Sequence, residues 1–187
     1  MTVDASEQQQ LLTVARDVIG HGLAHAKAPA MRVDDYPATV RQIACTFVTL
    51  RTGEALRGCI GSLRAYRPLV ADVAGHAYGA AFSDGRFSPL QHAELAGLHI
   101  HISILSPLQP LDFDGDDNLL TMLRPNIDGL LIQNDHRRAT FLPTVWSSFP
   151  GGREFLAALK KKAGMATSEA GYKAWYYTTQ NFEETRP

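Results

Sequence analysis

The sequence predicts an α+β protein with mainly antiparallel sheet and flanking helices. Three observations support this class. Segments with a strand-like hydrophobic period and segments with a helical period both occur, about six of the first kind and four or five of the second. Short turns at 52–54 and 134–135 join neighbouring strand-like segments, which predicts hairpins. Helices do not separate every strand from the next, so the pattern differs from a strictly alternating parallel fold.

The first half of the chain contains the clearest elements. A helix is predicted over about 7–25, where apolar residues recur at helical spacing behind a capping pattern at Ser6. β-branched and aromatic residues predict a strand over 45–50, and 56–63 is predicted as the returning strand. A second helix is predicted over 68–82, with a proline suited to its first position.

The second half contains shorter elements. Ser88 is expected to cap a short helix that ends near Gly97, and the alternation of apolar and polar residues in 98–104 predicts a half-buried strand. The remaining predicted elements are a helix over 116–123, strands over 127–132 and 139–142, a helix over 154–163 closed by Gly164, and a final strand over 174–182.

The composition is that of a protein with an ordinary packed core and little charge bias. Hydrophobic residues make up 45% of the 187 residues, and 18 Lys and Arg stand against 19 Asp and Glu. This balance argues against a protein that binds nucleic acid by bulk electrostatics, and we expect no nucleic-acid partner. The first residues lack the pattern of a secretion signal, and no apolar run reaches the roughly 20 residues that cross a bilayer. We therefore expect a cytoplasmic protein with no membrane association.

The segment Arg57–Gly61 is the candidate site. Gly58 and Gly61 flank a Cys-Ile pair, and glycine inside a strand marks a bulge or a close approach by another group. Arg57 can share a face with Cys59, and a cation near a thiol stabilises the nucleophilic thiolate. The segment therefore predicts a Cys59 nucleophile, and the alternative is a buried and inert cysteine.

The chain has two cysteines, Cys45 and Cys59, which are too few for a disulfide framework. With a two-residue turn at Thr52–Gly53, Cys45 faces Ile60 and Cys59 points to the other side of the sheet. With a three-residue turn, both cysteines lie on one face. The sequence leaves both registers open.

The candidate segment also carries a family signature. Leu56–Gly61 matches the six-residue motif L-R-G-C-I-G of the AMMECR domain family, which is found in AmmeMemoRadiSam system protein A. The other matching blocks are Phe47–Leu50, Ala80–Pro89, Ile102–Pro107, Gly129–Leu130, Leu142–Pro143, Phe155–Leu156 and Lys162–Gly164. The sequence therefore resembles this family over about residues 10–180.

The resemblance implies a two-part protein in which two closely packed, sandwich-like subdomains are built on antiparallel sheet and a cleft lies near the cysteine motif. We expect a single domain of this type over 1–187, with a smaller subdomain formed by about 60–110. The resemblance also implies an association with Memo-like and radical-SAM proteins. We expect no cofactor.

Candidate site residues are carried over by position. Cys59 and Arg57 are the expected catalytic residues. The expected substrate-binding residues are Gly58, Gly61, Asp84, Arg86 and His101. Three residues depart from the family pattern, namely Gly85 for a common proline, His101 for a glutamate and Thr144 for a glutamine. If that glutamate is a general base in the family, this chain uses a histidine there or lacks the step.

Two smaller constellations have competing interpretations. His99 and His101 lie two apart on a predicted strand, so both rings face the same way and could bind zinc. No third ligand stands at a telling spacing, so we favour a half-buried strand face and expect no metal. Asp84 and Arg86 are predicted to form an ion pair or an anion clamp, or to belong to a turn that ends a helix.

Two functions are compatible with these residues. In the first, the chain is an enzyme whose Cys59 thiolate attacks a small substrate, while Arg57 and Arg86 hold an anionic group and nearby N–H groups stabilise negative charge. In the second, the glycine-lined cleft of a non-catalytic component holds a small ligand, a peptide or a partner protein. The sequence leaves both open, together with the substrate and the oligomeric state.

Overall fold

The computed structural model describes residues 2–185, which form two compact units. The larger unit comprises the described residues up to Leu105 together with those from Gln180 on, and the smaller unit is Ser106–Thr179. The helices are α1 (Ala5–His25), α2 (Leu69–Phe82), α3 (Gly115–Met122) and α4 (Gly152–Ala163), with 3-10 turns at Val33–Asp35, His92–Gly97 and Pro143–Ser148. None of the helices in residues 2–185 combines the length and the apolar character needed to cross a bilayer.

The strands are short and mostly antiparallel. They are β1 (Ile43–Ala44), β2 (Thr46–Thr52), β3 (Ala55–Gly61), β4 (Arg67–Pro68), β5 (Leu98–Leu105), β6 (Gln109–Leu111), β7 (Gly129–Gln133), β8 (Arg138–Phe141), β9 (Lys173–Tyr177) and β10 (Thr179–Glu183). The combination of these strands with separate helices confirms the predicted α+β class.

A four-stranded sheet in the order β10-β5-β2-β3 forms the centre of the larger unit. β2 pairs antiparallel with both β3 and β5, and β3 lies at the edge. Alternate residues of the central strands, among them Val48, Leu50, Ile100 and Ile102, are buried in one cluster with the apolar stripes of α1 and α2. The two helices therefore cover one face of the sheet, and the intervening residues of each strand point to the opposite face.

Local capping decides where α1 begins. The Asp4 carboxylate accepts a hydrogen bond from the Glu7 N–H, and the Glu7 carboxylate accepts one from the Asp4 N–H. This capping box satisfies two donors at the helix start. The cap is therefore Asp4 and not the predicted Ser6, and the helix begins at Ala5.

The smaller unit has its own sheet and core. Its strands lie in the order β6-β9-β7-β8, with antiparallel pairing throughout. Trp146 stacks on Phe155 with 3.7 Å between ring centroids, next to buried residues of α3 and α4. The Lys160 ammonium is buried in this unit, where it binds both carboxylate oxygens of Asp116. A buried charge of this kind is tolerated because it is fully paired.

Three boundaries differ from the sequence-based expectation. The smaller unit spans 106–179 and not 60–110, because β3, α2 and β5 join the same core as α1 and β2. The predicted final strand over 174–182 is divided into β9 and β10, which belong to different sheets. No helix follows Ser88 directly, since the 3-10 turn there begins at His92.

Candidate functional site

Cys59 lies in a row of polar side chains that crosses three strands of the larger sheet. In the observed register Thr49 of β2 is opposite Cys59 of β3 on one side and opposite His101 of β5 on the other. Strands lie about 4.8 Å apart, so the Cα atoms of Cys59 and His101 are separated by roughly 10 Å. The Thr49 hydroxyl donates a hydrogen bond to the Cys59 sulfur over 3.4 Å. The row lies on the face opposite the helices, because Val48, the residue before Thr49, is buried against them.

Gly58 allows α2 to pack directly on β3. A Cβ atom at Gly58 would lie 2.1 Å from the carbonyl oxygen of Ala80, which is far inside any real contact. A glycine is required at this close approach of two backbones. Because Gly58 faces α2, its neighbour Cys59 must face the other side of the sheet.

Gly61 has a similar packing role at the end of the strand. A Cβ there would lie 2.3 Å from the ring of Phe47, its partner on β2. Both glycines of the motif are therefore explained by close approach of neighbouring groups.

The backbone of Cys59 is held by two side chains from the loop that follows α2. Oδ2 of Asp84 accepts the Cys59 N–H over 2.8 Å, and Nη2 of Arg86 donates to the Cys59 carbonyl over 3.2 Å. The two side chains also pair with each other, at 2.9 Å and 2.7 Å. Hydrogen bonds from Arg86 outweigh burial and, with the Cys59 N–H, hold the pKa of Asp84 well below its usual range. We call Asp84, Arg86 and the Cys59 peptide the Cys59 clamp.

Arg57 is engaged elsewhere. The pairing register shifts between Leu50 and Arg51, so Arg57 is the extra residue of a β-bulge. Its guanidinium binds the Glu94 carboxylate at 2.5 Å and 3.1 Å and the Ser88 carbonyl at 2.9 Å. The Glu94 hydrogen bond raises the pKa of Arg57 against the effect of burial.

With this geometry in view, a comparison with known proteins identifies the family. The AMMECR1 family model matches residues 12–182. The chain belongs to the AMMECR1 family. It is 32% identical to a protein of Methanothermobacter thermautotrophicus over 160 residues, which are 85% of this chain and 83% of that protein. It is 31% identical to Protein MJ0810 of Methanocaldococcus jannaschii, covering 92% and 88% of the two chains.

A solved structure has the same fold. The crystal structure of uncharacterized protein PH0010 from Pyrococcus horikoshii is similar with a TM-score of 0.90 and 26% identity. The similarity covers 99% of this chain and 95% of that one. The predicted membership in the AMMECR family is thereby confirmed.

In this AMMECR1-family chain, the guanidinium that binds Cys59 is that of Arg86, through the Cys59 carbonyl, and not that of the neighbouring Arg57. The pKa of Arg86 is raised chiefly by its hydrogen bond with Asp84, with smaller contributions from charge and hydrogen bonding at Cys59. A guanidinium does bind Cys59, at its backbone carbonyl, and it is supplied by a loop 27 residues along the chain.

His101 supplies the imidazole of the row. Burial lowers the pKa of His101 below its ordinary value, as do the charges of Arg51 and His99, whereas Glu183 acts in the opposite direction. The imidazole is therefore neutral near pH 7 and can accept a proton. Its neighbour His99 lies 3.3 Å from the Glu183 carboxylate. Within residues 2–185, no group of three or more potential metal-ligating His, Cys, Asp or Glu side chains is assembled.

The other thiol has a different setting. Cys45 precedes β2 and is buried, and both cysteines are free. Burial, and secondarily the charge of Asp72, raise the pKa of Cys45 to about 11. The register places Cys59 opposite Thr49 and Ile60 opposite Val48, so Cys45 does not face Ile60 as one of the two predicted registers required.

A second carboxylate–arginine group lies near Cys45. Asp72, in the first turn of α2, accepts hydrogen bonds from the Thr46 N–H at 2.8 Å and hydroxyl at 2.7 Å, and from Nε of Arg67 at 2.8 Å. His76 Nδ1 lies 3.1 Å from the same carboxylate. Burial by itself would raise the pKa of Asp72, but the hydrogen bonds from His76, Thr46 and Arg67 hold it below its ordinary value. We call these four residues the Asp72 cluster.

The structure thus gathers most of the predicted site residues. Three of them are consecutive residues of β3, namely Arg57, Gly58 and Cys59. Asp84 and Arg86 bind the backbone of Cys59 from the loop after α2. Gly61 lies at the strand end, and His101 is two strands away in the same row. Sequence reasoning missed Thr49, because its importance depends on which strands lie on either side of it.

Proposed function

We propose that this AMMECR1-family protein is an enzyme that uses Cys59 as a nucleophile toward a small anionic substrate. The observation that carries the proposal is the row in which Thr49 is paired with both Cys59 and His101. A partly exposed thiol, a hydroxyl and a neutral imidazole on one sheet face form a nucleophile, its hydrogen-bond donor and a base.

Each member of the row has a chemical role. The Thr49 hydroxyl donates a hydrogen bond to the sulfur and stabilises negative charge that develops there during the reaction. His101 accepts the proton that the thiol releases through a bridging water, because β2 separates the two residues. The Sγ–carbon bond then forms at an electrophilic carbon, such as that of an acyl group, while the bond from that carbon to its leaving group breaks. The leaving group departs with the proton from His101, and water hydrolyses the intermediate and restores the thiol.

Arg86 is the candidate contact for the anionic group of the substrate. Its side chain is 57% exposed although one edge is held by Asp84. A guanidinium fixed in this way presents its remaining donors without losing much conformational freedom. Arg57 is 13% exposed and bound to Glu94, so the proposal gives it a part in shaping the strand. A catalytic part for Arg57 stays a prediction.

Selective alkylation tests the nucleophile. The variant Cys45→Ala retains Cys59, and the matched variant Cys59→Ala retains Cys45. We expect the native Cys45→Ala protein to react with iodoacetamide at pH 7 in the absence of denaturant. Native Cys59→Ala protein should react only after denaturation, because its remaining thiol is buried. Labelling of Cys59 only in denaturant would exclude the nucleophile.

A model ester tests the covalent step. 4-Acetoxy-3-nitrobenzoate carries a carboxylate that cannot reach its own ester and releases a coloured nitrophenolate. We expect a burst of one nitrophenolate per Cys59 and an acetyl adduct on Cys59 by mass spectrometry, both lost in Cys59→Ala and slowed in His101→Gln. Hydrolysis that is equal in wild type and Cys59→Ala would contradict the proposal.

The second candidate is a non-catalytic component of an AmmeMemoRadiSam system that binds Memo-like and radical-SAM proteins in the cytoplasm. It is favoured because Arg57 is paired with Glu94 and Asp84 is paired with Arg86. Fewer of the predicted substrate-binding side chains are therefore available to a substrate. Co-purification of a Memo-like protein with wild type but not with Arg86→Glu would support it. Binding that is unaffected by Arg86→Glu and by Arg57→Ala would separate any such complex from this site.

A further inference from the structure

Asp84 is the most fully engaged side chain around Cys59. Its Oδ1 accepts the Arg86 N–H at 3.2 Å and Arg86 Nε at 2.9 Å. Its Oδ2 accepts the Cys59 N–H at 2.8 Å and Arg86 Nη2 at 2.7 Å. A carboxylate offers about four lone-pair sites, and these four donors fill them. The side chain is also only 5% exposed, so it has neither room nor acceptor capacity for a substrate.

We propose that Asp84 is a positioning residue that holds the Cys59 peptide so that Thr49 can reach the sulfur, and that it does not bind substrate. This inference rests on the proposed function of Cys59 and replaces the expected substrate-binding role of Asp84 with one exerted through the backbone.

β3 lies at one edge of the four-stranded sheet. β3 is an edge strand, so the backbone groups of Cys59 that point away from β2 have no neighbouring strand to bind. In the Cys59 clamp, Asp84 takes the N–H and Arg86 takes the carbonyl of this one residue. Two side chains thereby supply the pair of hydrogen bonds that an adjacent strand would supply.

The other side of the peptide is held by packing. The backbone of Gly58 packs against the Ala80 carbonyl of α2. The loop that carries Asp84 begins directly after that helix. The Cys59 peptide is therefore fixed between a helix and an ion pair. This matters for the sulfur because its hydrogen bond from Thr49 spans 3.4 Å and depends on where the Cys59 backbone sits.

Amide exchange tests the clamp directly. In a Cys45→Ala background, we expect the Cys59 amide hydrogen to exchange with solvent more slowly than is usual in an edge strand. Asp84→Ala should accelerate this exchange by about tenfold or more. The amides of Val48 and Leu50 should keep their protection. The control is Asp117→Ala, which breaks an exposed ion pair with Arg153 in the smaller unit. If Asp84→Ala does not fold, Asp84→Asn, which retains one acceptor oxygen, is used with the same readout.

A double-mutant cycle tests the link to the sulfur. Thr49→Val removes the hydrogen bond to the sulfur and should slow labelling of Cys59 at pH 7 by about three- to tenfold. Asp84→Ala should slow it by a similar factor, and the double variant should be no slower than either single variant because both remove the same hydrogen bond. A positioning role predicts this non-additivity, whereas a purely local loss of packing does not.

The outcomes separate the two proposals. If Cys59 of the wild type is inert to iodoacetamide in the native state, the proposed function fails, while slow exchange of the Cys59 amide can still be observed. If Cys59 reacts but Asp84→Ala changes neither its amide exchange nor its labelling profile, the positioning inference is overturned and the proposed function stands. Additive effects of Thr49→Val and Asp84→Ala would also overturn it.

Discussion

The two cysteines lie in opposite environments, although each is near an aspartate–arginine pair attached to an end of α2. Cys45 is buried close to the Asp72 cluster, and burial raises the pKa of its thiol to about 11. Cys59 is partly exposed, receives a hydrogen bond from Thr49 and binds the Arg86 guanidinium through its backbone carbonyl. Two thiols that lie close to the same helix therefore differ in exposure and in hydrogen bonding, which are the properties that govern thiol reactivity.

The two aspartates also differ in what they stabilise. Asp72 has a side-chain exposure of 0% and joins α2 to the start of β2 through Thr46. Asp84 joins the end of the same helix to the edge strand β3. We therefore expect the Asp72 cluster to support the fold and the Cys59 clamp to support the site.

Removal of Asp72 should have the largest effect on stability. Asp72→Ala leaves Arg67 and the Thr46 N–H without their buried partner, which should cost about 3–5 kcal/mol. Urea denaturation measures the loss. The matched control Asp117→Ala removes one partner of a pair in which both side chains are mostly exposed and should change the free energy of unfolding by less than about 1 kcal/mol. Equal losses for both variants would remove the distinction between a structural and a surface aspartate.

Gly58→Ala should have the next largest effect. The added Cβ would have to displace the Ala80 carbonyl, and such overpacking costs about 2–3 kcal/mol. Gly85→Ala is the control, since nothing lies within 4 Å of its added Cβ. The contact between β3 and α2 would be looser than described if thermal denaturation gave the same midpoint for both variants.

Asp84→Asn should cost about 2 kcal/mol near neutral pH because hydrogen bonds to a charged group are lost. The pKa of Asp84 is lowered in the folded protein, so its contribution is fully present above the unfolded pKa of about 3.9 and is lost as the pH falls through the folded pKa. The stability gap between wild type and Asp84→Asn should therefore narrow in acid. Urea denaturation from pH 7 to pH 3 measures this gap, and a gap that widens in acid would contradict it.

Glu94→Gln should have the smallest effect, about 1 kcal/mol, because Arg57 keeps its bond to the Ser88 carbonyl. The rate of Cys59 alkylation should change less than twofold, since the guanidinium that binds Cys59 is that of Arg86. A large fall in the alkylation rate would indicate that Arg57 acts on the thiol, as the sequence predicted.

Much of the fold was predictable because it depends on local periodicity. The alternation in 98–104 and the helical spacing of 7–25 each describe one element, and both elements form close to those bounds. The division of 174–182 between two sheets was not predictable. The aromatic and β-branched residues there favour strand conformation on both sides of the division.

The site was predictable in part. The motif around Cys59 and the Asp84–Arg86 block were recognisable in sequence, and the structure brings them together. The part of Thr49 was not predictable because it depends on strand register. It was equally unpredictable that Arg86 and not Arg57 binds Cys59, because a bulge turns Arg57 away. Register and bulges are properties of paired strands and leave little trace in either strand alone.

The Cys59 clamp also bears on solubility. An exposed strand with unpaired backbone groups is a template on which a second copy of the chain can assemble, and natural proteins block such strands with charged side chains or coverings. By occupying both outward groups of Cys59 at the middle of β3, Asp84 and Arg86 interrupt the template where it would otherwise be continuous. Loss of the pair should therefore favour aggregation at high protein concentration even where the monomer still folds.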